Sequence, residues 1–282
     1  MEILDGKKTS QEIMKNYKER IKMLRRKPCL AILSINPDDA SQIYIKQKEK
    51  ACKDMGMDLE KYIFTTTTSK EEIVSIIQYL NEDDDIDGIL LQLPVPNTMD
   101  AHDLINEIDP SKDVDGLTDK NIGGLMHDQD VLSPCTALGV IDLLDAYNIK
   151  LKGKNVLLVG RSNLVGKPLI PLFLNRDATI TIVHTKTENL ENYSRLADII
   201  VVAAGSPSLI KADMVKEGAV IVDVGISRIN GKLEGDVDFE AVKAKTSYIT
   251  PVPGGVGPMT IQALIRNVYY AYLNRERKRL GK

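Results

Sequence analysis

The chain has 282 residues, of which 43 % are apolar and 27 % charged, a composition typical of folded globular proteins and not of disordered chains. Lys and Arg total 37 against 40 for Asp and Glu, so the net charge is −3 and gives no general attraction for nucleic acid or anionic membranes. No apolar run approaches the roughly 18 residues of a membrane helix, and the N-terminus lacks a signal-peptide pattern. We therefore expect neither a nucleic-acid partner nor a membrane partner.

The numbers and positions of the cysteines and histidines argue against a disulfide framework and against a metal site. Cys29, Cys52 and Cys135 are far apart and odd in number, which disfavours a disulfide framework and favours a reducing compartment, the cytoplasm. The three histidines are equally scattered, and no cluster shows metal-ligand spacing. We therefore expect no metal site, so that any chemistry depends on other side chains or on a bound organic cofactor.

The first hundred residues alternate between helical and strand periods, which predicts an α/β fold. The predicted elements are a helix opening at a capping box in Thr9–Glu12, a strand at 29–35, a helix from about 40 to 55, a strand at 58–64, a helix opening at Ser69–Glu72, and a strand at 89–93. Gly56 is the predicted left-handed C-cap of the second helix. Three βα repeats of this kind predict a small parallel sheet.

The middle of the chain differs in composition. Residues 110–133 are polar and rich in Asp and Gly, which predicts a long loop of the kind that is usually functional or a hinge. Helical spacing resumes at Val140–Tyr147, and we expect this helix to join two domains.

The second half of the chain returns to alternating elements. Apolar runs predict strands at 155–159, 178–183, 199–203 and 220–224, and spacings of about twenty residues leave room for the crossover helices of a dinucleotide-binding sheet. A rigid Gly-rich turn follows at Pro251–Pro258, and a last helix begins at about Met259. We interpret its basic end, Arg275–Arg279, as a solvated helix terminus and not as a nucleic-acid patch.

The segment Gly160–Pro168 follows a strand and opens a helix, a place where backbone N–H groups and the helix N-terminus attract anions. It departs from the GxGxxG fingerprint at Ser162, so an ordinary βα turn is the alternative to a nucleotide site. The following strand ends without the acid that NAD-binding sheets use to bond the ribose hydroxyls. Arg161, Thr185 or Lys186 could instead contact a 2′-phosphate, which favours NADP over NAD.

Tyr44 and Lys48 are four residues apart on a predicted helix and therefore share one face. A lysine acts as a general base only when burial or neighbouring donors lower its pKa, and such a pair more often decorates a surface. Gln92 is a polar residue inside an apolar strand, at the end where parallel sheets bind ligands. It is either a ligand contact or a satisfied core amide, and the sequence leaves both interpretations open.

Two carboxylates, Asp113 and Asp115, lie in Lys112–Gly116 within the predicted loop. This pattern is most often a turn signal, and no other ligands support a metal site there. The remaining interpretation is an acceptor for the amino and ring N–H groups of a ligand.

Taken together, these segments resemble the bifunctional methylenetetrahydrofolate dehydrogenase/methenyltetrahydrofolate cyclohydrolase family. Seven motifs occur in family order and cover nearly the whole chain, and although each alone is weak, seven in register are highly specific. The motifs are Tyr44–Lys48, Asp87–Pro94, Lys112–Gly116, Pro134–Thr136, Gly160–Pro168, Val222–Ile226 and Pro251–Thr260.

The resemblance implies an α/β protein of two domains. A folate-binding catalytic domain at residues 1–139, completed by a C-terminal helix at 265–282, would accompany a Rossmann-type NADP-binding domain with a parallel sheet at 140–264. Enzymes of this family oxidise 5,10-methylenetetrahydrofolate to the 5,10-methenyl form and hydrolyse that to 10-formyltetrahydrofolate. We therefore expect a tetrahydrofolate substrate, NADP as cofactor, and a homodimer that joins through the nucleotide domain.

The resemblance also implies roles residue by residue. Lys48 corresponds to the proton-transfer group, Tyr44 to the side chain that stacks on the substrate and positions the lysine, and Gln92 to the partner that tunes its basicity. Asp115 corresponds to the carboxylate that accepts the pterin N–H groups. The other implied site residues bind the substrate (Leu93, Pro94, Gly254 and Gly255) or the cofactor (Gly160, Arg161 and Ser162 at the phosphates, Thr185 near the 2′-phosphate, Ile226 at the nicotinamide).

Two positions depart from the family pattern. Ala137 stands where proline is common, and Thr185 replaces a frequent serine but keeps the hydroxyl, so neither change removes a group that the mechanism needs. One alternative is a dehydrogenase without the hydrolysis step, which retention of Lys48, Tyr44 and Gln92 argues against. The other is a non-catalytic nucleotide-sensing protein, which would leave those residues without a purpose.

Overall fold

The computed structural model of the protein describes residues 1–229 and 231–279. Its contacts divide the chain into two compact units, named here after their main sheets. The three-stranded unit comprises Ile13–Cys135 and Ile261–Lys282, and the six-stranded unit comprises Met1–Glu12 and Thr136–Thr260. Residues 280–282, which the sequence assigns to the last helix, lie outside the described residues.

Helices and strands alternate along both units, as the sequence predicts. The strands are β1 (Glu2–Ile3), β2 (Cys29–Ile35), β3 (Asp58–Phe64), β4 (Gly88–Gln92), β5 (Asn155–Val159), β6 (Thr179–Val183), β7 (Ile199–Val202), β8 (Val220–Asp223), β9 (Ser227–Ile229), β10 (Lys232–Glu234) and β11 (Tyr248–Ile249). The helices are α1 (Gly6–Lys22), α2 (Asp39–Met55), α3 (Lys70–Glu82), α4 (Ala101–Asn106), α5 (Asp119–Met126), α6 (Cys135–Ala146), α7 (Gly166–Leu174), α8 (Leu190–Ser194), α9 (Phe239–Val242) and α10 (Val256–Arg279).

The three-stranded unit is built on a parallel sheet in the order β3-β2-β4. Every residue of the central strand β2 is buried, as expected of an apolar run in a covered parallel sheet. Ile73, Ile77 and Leu80 lie on one face of α3 and pack in the same core cluster as Leu33 and Ile89 of the sheet. The predicted βα repeats and small parallel sheet are confirmed.

The six-stranded unit contains a parallel sheet in the order β1-β11-β8-β7-β5-β6 and a separate antiparallel pair of β9 with β10. β5 has β6 on one side and β7 on the other, so the strand order changes direction there. In open α/β sheets, ligands bind outside the carboxyl ends of the strands at such a switch point. This topology confirms the predicted Rossmann-type sheet and places the loops after β5 and β7 at its ligand edge.

The helix termini test the capping predictions. The capping box predicted at Thr9–Glu12 is wrong, because α1 begins at Gly6 and the Thr9 hydroxyl donates to the carbonyl of Asp5, one turn back. The Ser69 N-cap of α3 and the left-handed Gly56 C-cap of α2, with φ 77°, are confirmed.

The loop predicted at 110–133 contains a helix. α5 follows Thr118, whose Oγ1 accepts the N–H of Asn121 at 3.4 Å. Gly123 and Gly124 inside α5 each lower helix propensity by about 1 kcal/mol relative to alanine, which explains the loop-like pattern. The short helix α4 and the strands β1, β9, β10 and β11 also escaped prediction, because segments this short carry no periodicity.

Both ends of the chain make contacts that the sequence did not predict. β1 pairs with β11 in the six-stranded sheet, and Met1–Glu12 cluster with that unit, while the domain bounds 1–139 and 140–264 stay a prediction. At the other end, the Arg275 side chain is only 11 % exposed, and its Nη2 lies 3.1 Å from Asp84 Oδ1. Arg275 is therefore anchored within the three-stranded unit, whereas Arg277 and Lys278 are exposed, as predicted for this basic end of α10.

Candidate active site

Lys48 and Gln92 are hydrogen-bonded to each other in the three-stranded unit. Lys48 projects from α2 and Gln92 ends β4, and the Lys48 Nζ donates to the Gln92 Oε1 at 2.8 Å. The Gln92 Nε2 donates to the carbonyl of Leu93 at 2.7 Å, so the amide presents its oxygen to the lysine. Gln92 is only 8 % exposed, and its position in the apolar strand is explained by this pair of contacts.

Lys48 and Asp115 each reduce the cost of the other's burial. Burial lowers the pKa of Lys48, and the negative charge of Asp115 opposes that change. Burial likewise raises the pKa of Asp115, the charge of Lys48 opposes that rise, and the charge of Asp113 adds to it. An amine with a lowered pKa is more readily neutral, and a neutral amine can accept a proton. The arrangement is therefore suited to acid–base chemistry.

Asp113 and Asp115 have different surroundings, although they are two residues apart. The buried Asp113 carboxylate accepts the N–H groups of Gly116 at 2.9 Å and Thr118 at 2.7 Å, and the Asn121 Nδ2 at 2.9 Å. It thereby fixes the turn that leads into α5. Of the interpretations that the sequence left open, the turn role fits Asp113, and Asp115 is the carboxylate that interacts with Lys48.

Two further side chains hold the Asp115 segment, and sequence reasoning assigned a role to neither. The Cys135 Sγ donates to the carbonyl of Val114 at 3.2 Å, and Cys135 lies beside Asp115. The Asn267 Nδ2 on α10 donates to the carbonyls of Val114 and Ser133, both at 2.9 Å. The sequence signal that could have identified Asn267 is an asparagine among apolar residues of a helix, because a buried amide needs hydrogen-bond partners.

The remaining substrate-side residues of this unit lie near the same elements. Tyr44 is one helical turn before Lys48 on α2 and is 42 % exposed, which leaves its ring accessible. Leu93 packs against the core cluster, whereas Pro94 is exposed after a cis peptide bond. Tyr44, Lys48, Gln92, Leu93, Pro94 and Asp115 all belong to the three-stranded unit.

The ligand edge of the six-stranded unit is shaped by close approaches of the main chain. Gly160 has φ 114°, and a side chain there would overlap the carbonyl of Ala203 in the loop after β7. A side chain at Gly166, the first residue of α7, would overlap the carbonyl of Gly160. The Ser162 Oγ accepts the N–H of Val165 at 3.2 Å and so tightens the same turn.

Exposed side chains surround this edge. Arg161 and Thr185 each lie two residues beyond Val159 and Val183, which are register partners in β5 and β6. Ile226 follows β8 and is 44 % exposed. The residues implied to bind the cofactor therefore lie at or just beyond the carboxyl ends of strands of one sheet, and this cradle of backbone and helix N-terminus fits a phosphate-containing ligand.

Gly254 and Gly255 form the turn before α10 in the six-stranded unit. Gly254 has φ 106°, and its carbonyl accepts the N–H of Lys7 at 3.0 Å. A Cβ at Gly255 would lie 2.6 Å from the carbonyl oxygen of Pro251. Both positions therefore require glycine for conformational or steric reasons.

Two kinds of feature are absent from the described residues. No group of three or more His, Cys, Asp or Glu residues in that part of the chain could hold a metal ion. None of the helices within residues 1–229 and 231–279 is long and apolar enough to cross a membrane.

Comparison with known proteins gives matches along almost the whole chain. The family model "Tetrahydrofolate dehydrogenase/cyclohydrolase, catalytic domain" matches residues 4–115, and "Tetrahydrofolate dehydrogenase/cyclohydrolase, NAD(P)-binding domain" matches residues 134–276. The Bifunctional protein FolD of Hydrogenobaculum sp. (strain Y04AAS1) is 48 % identical over 277 residues, covering 98 % of this chain and 100 % of that protein.

Solved structures agree with the sequence matches. The bifunctional enzyme FolD, a methylenetetrahydrofolate dehydrogenase/cyclohydrolase from Campylobacter jejuni, is 45 % identical with a TM-score of 0.96, covering 98 % of this chain and 99 % of that one. The Trypanosoma brucei methylenetetrahydrofolate dehydrogenase-cyclohydrolase, solved with NADP cofactor and an inhibitor, is 33 % identical with a TM-score of 0.93, covering 98 % of each chain.

Proposed function

This chain belongs to the tetrahydrofolate dehydrogenase/cyclohydrolase family, and on that premise we propose that it performs both reactions of the family. It oxidises 5,10-methylenetetrahydrofolate to 5,10-methenyltetrahydrofolate with NADP and hydrolyses the product to 10-formyltetrahydrofolate. The observation that carries the proposal is the hydrogen bond from Lys48 to Gln92, with Asp115 as the charged neighbour of the lysine. A lysine in these surroundings serves proton transfer, for which a nucleotide sensor has no use.

Lys48 is the proton acceptor of the hydrolysis. Water adds to the methenyl carbon and gives one proton to Lys48. The hydroxyl of the adduct then loses its proton and N5 takes up a proton as the carbon–N5 bond breaks, which leaves the formyl group on N10. Burial lowers the pKa of Lys48, so the neutral amine is available to take that proton. The Gln92 oxygen accepts a hydrogen bond from Lys48 in either protonation state and so holds its position. Tyr44, on the same face of α2, stacks on the substrate.

Asp115 anchors the pterin ring by accepting its amino and ring N–H groups. The positive charge of Lys48 favours the ionised carboxylate that this role needs, against the opposing effect of burial. Leu93 and Pro94 contribute to the wall of the substrate site in the three-stranded unit.

NADP binds at the ligand edge of the six-stranded unit. The turn around Gly160, which tolerates no side chain, and the N-terminus of α7 hold the phosphates, with Ser162 shaping the turn. Arg161 and Thr185 contact the 2′-phosphate at strand ends that carry no acid, and Ile226 contacts the nicotinamide. When bound, NADP supplies the hydride acceptor, and the protein contributes positioning.

Absorbance assays test the proposal with NADP and NAD side by side. We expect formation of the methenyl product with NADP in preference to NAD, and hydrolysis of added methenyltetrahydrofolate without any nucleotide. Oxidation without hydrolysis would identify a dehydrogenase alone. NADP binding without turnover of either substrate would identify a nucleotide sensor and overturn the proposal.

We also propose that two copies of the chain associate through the six-stranded unit, in the cytoplasm and without nucleic acid. β6 is the last strand of its sheet, and Ile182 on it is exposed, as are Leu174 and Leu196 of the same unit. The free, buried thiols are compatible with a reducing compartment, and the net charge of −3 disfavours nucleic acid. Light scattering should give twice the chain mass, and Ile182→Lys should shift it toward the monomer.

A further inference from the structure

Two buried carboxyl groups that the proposed reaction does not use lie next to each other in the six-stranded unit. Asp223 ends β8 and is 4 % exposed, and Asp236 follows β10 and is wholly buried. The Asp223 Oδ1 accepts the N–H of Asp236 at 3.1 Å. Burial raises the pKa of Asp223 to about 6, and the charge of Asp236 adds to that rise. Keeping two carboxyl groups here is costly, so a compensating role is expected.

Both carboxyl groups accept hydrogen bonds from the main chain. The Asp223 Oδ1 also accepts the N–H of Gly225 at 3.0 Å, and its Oδ2 accepts the N–H of Val237 at 2.9 Å. The Asp236 Oδ2 accepts the N–H groups of Ala204 at 2.7 Å and Gly205 at 2.9 Å. The Asp236 Oδ1 is buried and has no hydrogen-bond partner among the described residues.

The main-chain segments held in this way lie at the ligand edge of the sheet. Ala204 and Gly205 follow β7, directly after Ala203, whose carbonyl approaches Gly160. Gly225 follows β8 and directly precedes Ile226. A side chain at Gly225 would overlap the Asp236 carboxyl group. The Asp236 carboxyl group therefore packs directly against the main chain of the loop after β8.

From this arrangement we propose that Asp223 and Asp236 are positioning residues for the cofactor, which together fix the Ala204–Gly205 and Gly225–Ile226 segments against which NADP binds. The inference rests on the proposed function for the identity of the ligand. The two residues do not touch the reacting atoms, and they act through the backbone amides that they hold.

The two carboxyl groups differ in which substitution they tolerate. Asn at position 236 keeps an oxygen for the Ala204 and Gly205 N–H groups and places its NH₂ where Oδ1 has no partner. Asn at position 223 places an NH₂ against a backbone N–H whichever way it is turned, because both oxygens of Asp223 already accept. Asp236→Asn should therefore preserve the segments, and Asp223→Asn should distort them.

The experiment is calorimetric titration of the full chain with NADP, combined with hydrolysis of methenyltetrahydrofolate measured without nucleotide. Asp236→Ala is expected to raise the NADP dissociation constant about tenfold or more, since it removes the acceptor shared by the Ala204 and Gly205 N–H groups, and to change the hydrolysis rate far less. Asp236→Asn should stay within about threefold of wild type, and Asp223→Asn should bind NADP more weakly than Asp236→Asn.

Asp198→Ala is the matched control. Asp198 also accepts a backbone N–H, from Asn155 at 2.9 Å, but at the amino ends of the strands, so its loss should leave NADP affinity unchanged. Wild-type affinity in Asp236→Ala, or an equal loss in Asp198→Ala, would overturn the inference. If Asp236→Ala does not fold, Asp223→Asn decides, and an NADP affinity in that variant equal to that of Asp236→Asn overturns the inference. Absence of hydrolysis by the wild type would instead count against the proposed function, while the NADP titration still tests the pair.

Discussion

In the three-stranded unit the candidate site centres on a hydrogen bond between two side chains, whereas at the ligand edge of the six-stranded unit side chains bond to the main chain. Lys48 donates to Gln92, and Asp115 is the charged neighbour of that lysine. In the other unit, Gly160 approaches the carbonyl of Ala203, and Asp236 accepts N–H groups of the backbone. Function should therefore depend on side-chain chemistry in the first region and on the backbone path in the second.

Replacement of Lys48 should have the largest effect. Lys48→Met removes the proton acceptor but keeps an apolar stem of similar length, so hydrolysis should fall by about 10²–10⁴-fold while thermal unfolding changes little. Lys46→Met on the same helix is the control, because Lys46 is exposed and has no assigned role. Hydrolysis of methenyltetrahydrofolate by Lys48→Met at the wild-type rate would exclude this role for Lys48.

The pH profile of the same reaction sharpens this test. Burial lowers the pKa of Lys48, so the amine loses its proton at a lower pH than an exposed lysine does. A protonated lysine cannot act as the base, and the enzymatic rate, corrected for spontaneous hydrolysis, should therefore rise with pH and level off above that lowered pKa. A flat profile in the wild type would contradict this assignment.

Gly160→Ala should disrupt the ligand edge of the six-stranded unit without removing any functional side chain. The new Cβ would overlap the carbonyl of Ala203, and φ 114° is unfavourable for alanine, so NADP affinity should fall more than about tenfold and the melting temperature should drop. Gly153→Ala is the matched control, with φ 72° but nothing within 4 Å of the added Cβ. Equal effects of the two substitutions on NADP binding would show that backbone strain alone matters.

The ease of prediction also differs between elements. β2 was predictable because seven consecutive residues are buried in one strand, so its composition alone carries the signal. β1 was not, because its two residues form a strand only by pairing with Tyr248 and Ile249, more than 240 positions along the chain. At the site, the sequence placed Lys48 on a helix face and Gln92 at a strand end, whereas the roles assigned to them came from the family resemblance. Asn267 did not, since its role depends on loop carbonyls that lie far away in sequence.

Asp115→Asn tests the side-chain chemistry of the three-stranded unit, and its expected effect is smaller than that of Lys48→Met. One oxygen becomes an NH₂ that faces the N–H groups of the pterin, so folate affinity should weaken by about 1–3 kcal/mol and both activities should fall together. NADP affinity should be unchanged. Asp113→Asn is the contrast, because it disturbs an acceptor of three donors and should lower stability more than Asp115→Asn does. Unchanged folate binding in Asp115→Asn would refute the pterin assignment.

The smallest effect expected is that of Arg161→Ala, which tests whether any side chain at the six-stranded edge contributes through its own chemistry. A charge-assisted contact with the 2′-phosphate is available to NADP and absent from NAD, so NADP affinity should fall about tenfold while NAD affinity stays the same. Lys186→Ala tests the other basic side chain that could contact the 2′-phosphate, since Lys186 is also exposed after β6. Titration of both variants with both cofactors gives the answer directly. An equal loss of affinity for NADP and for NAD in Arg161→Ala would mean that the arginine contacts a part that the two cofactors share. The preference for NADP over NAD would then come from the shape of the loop and from the absence of an acid at the strand end.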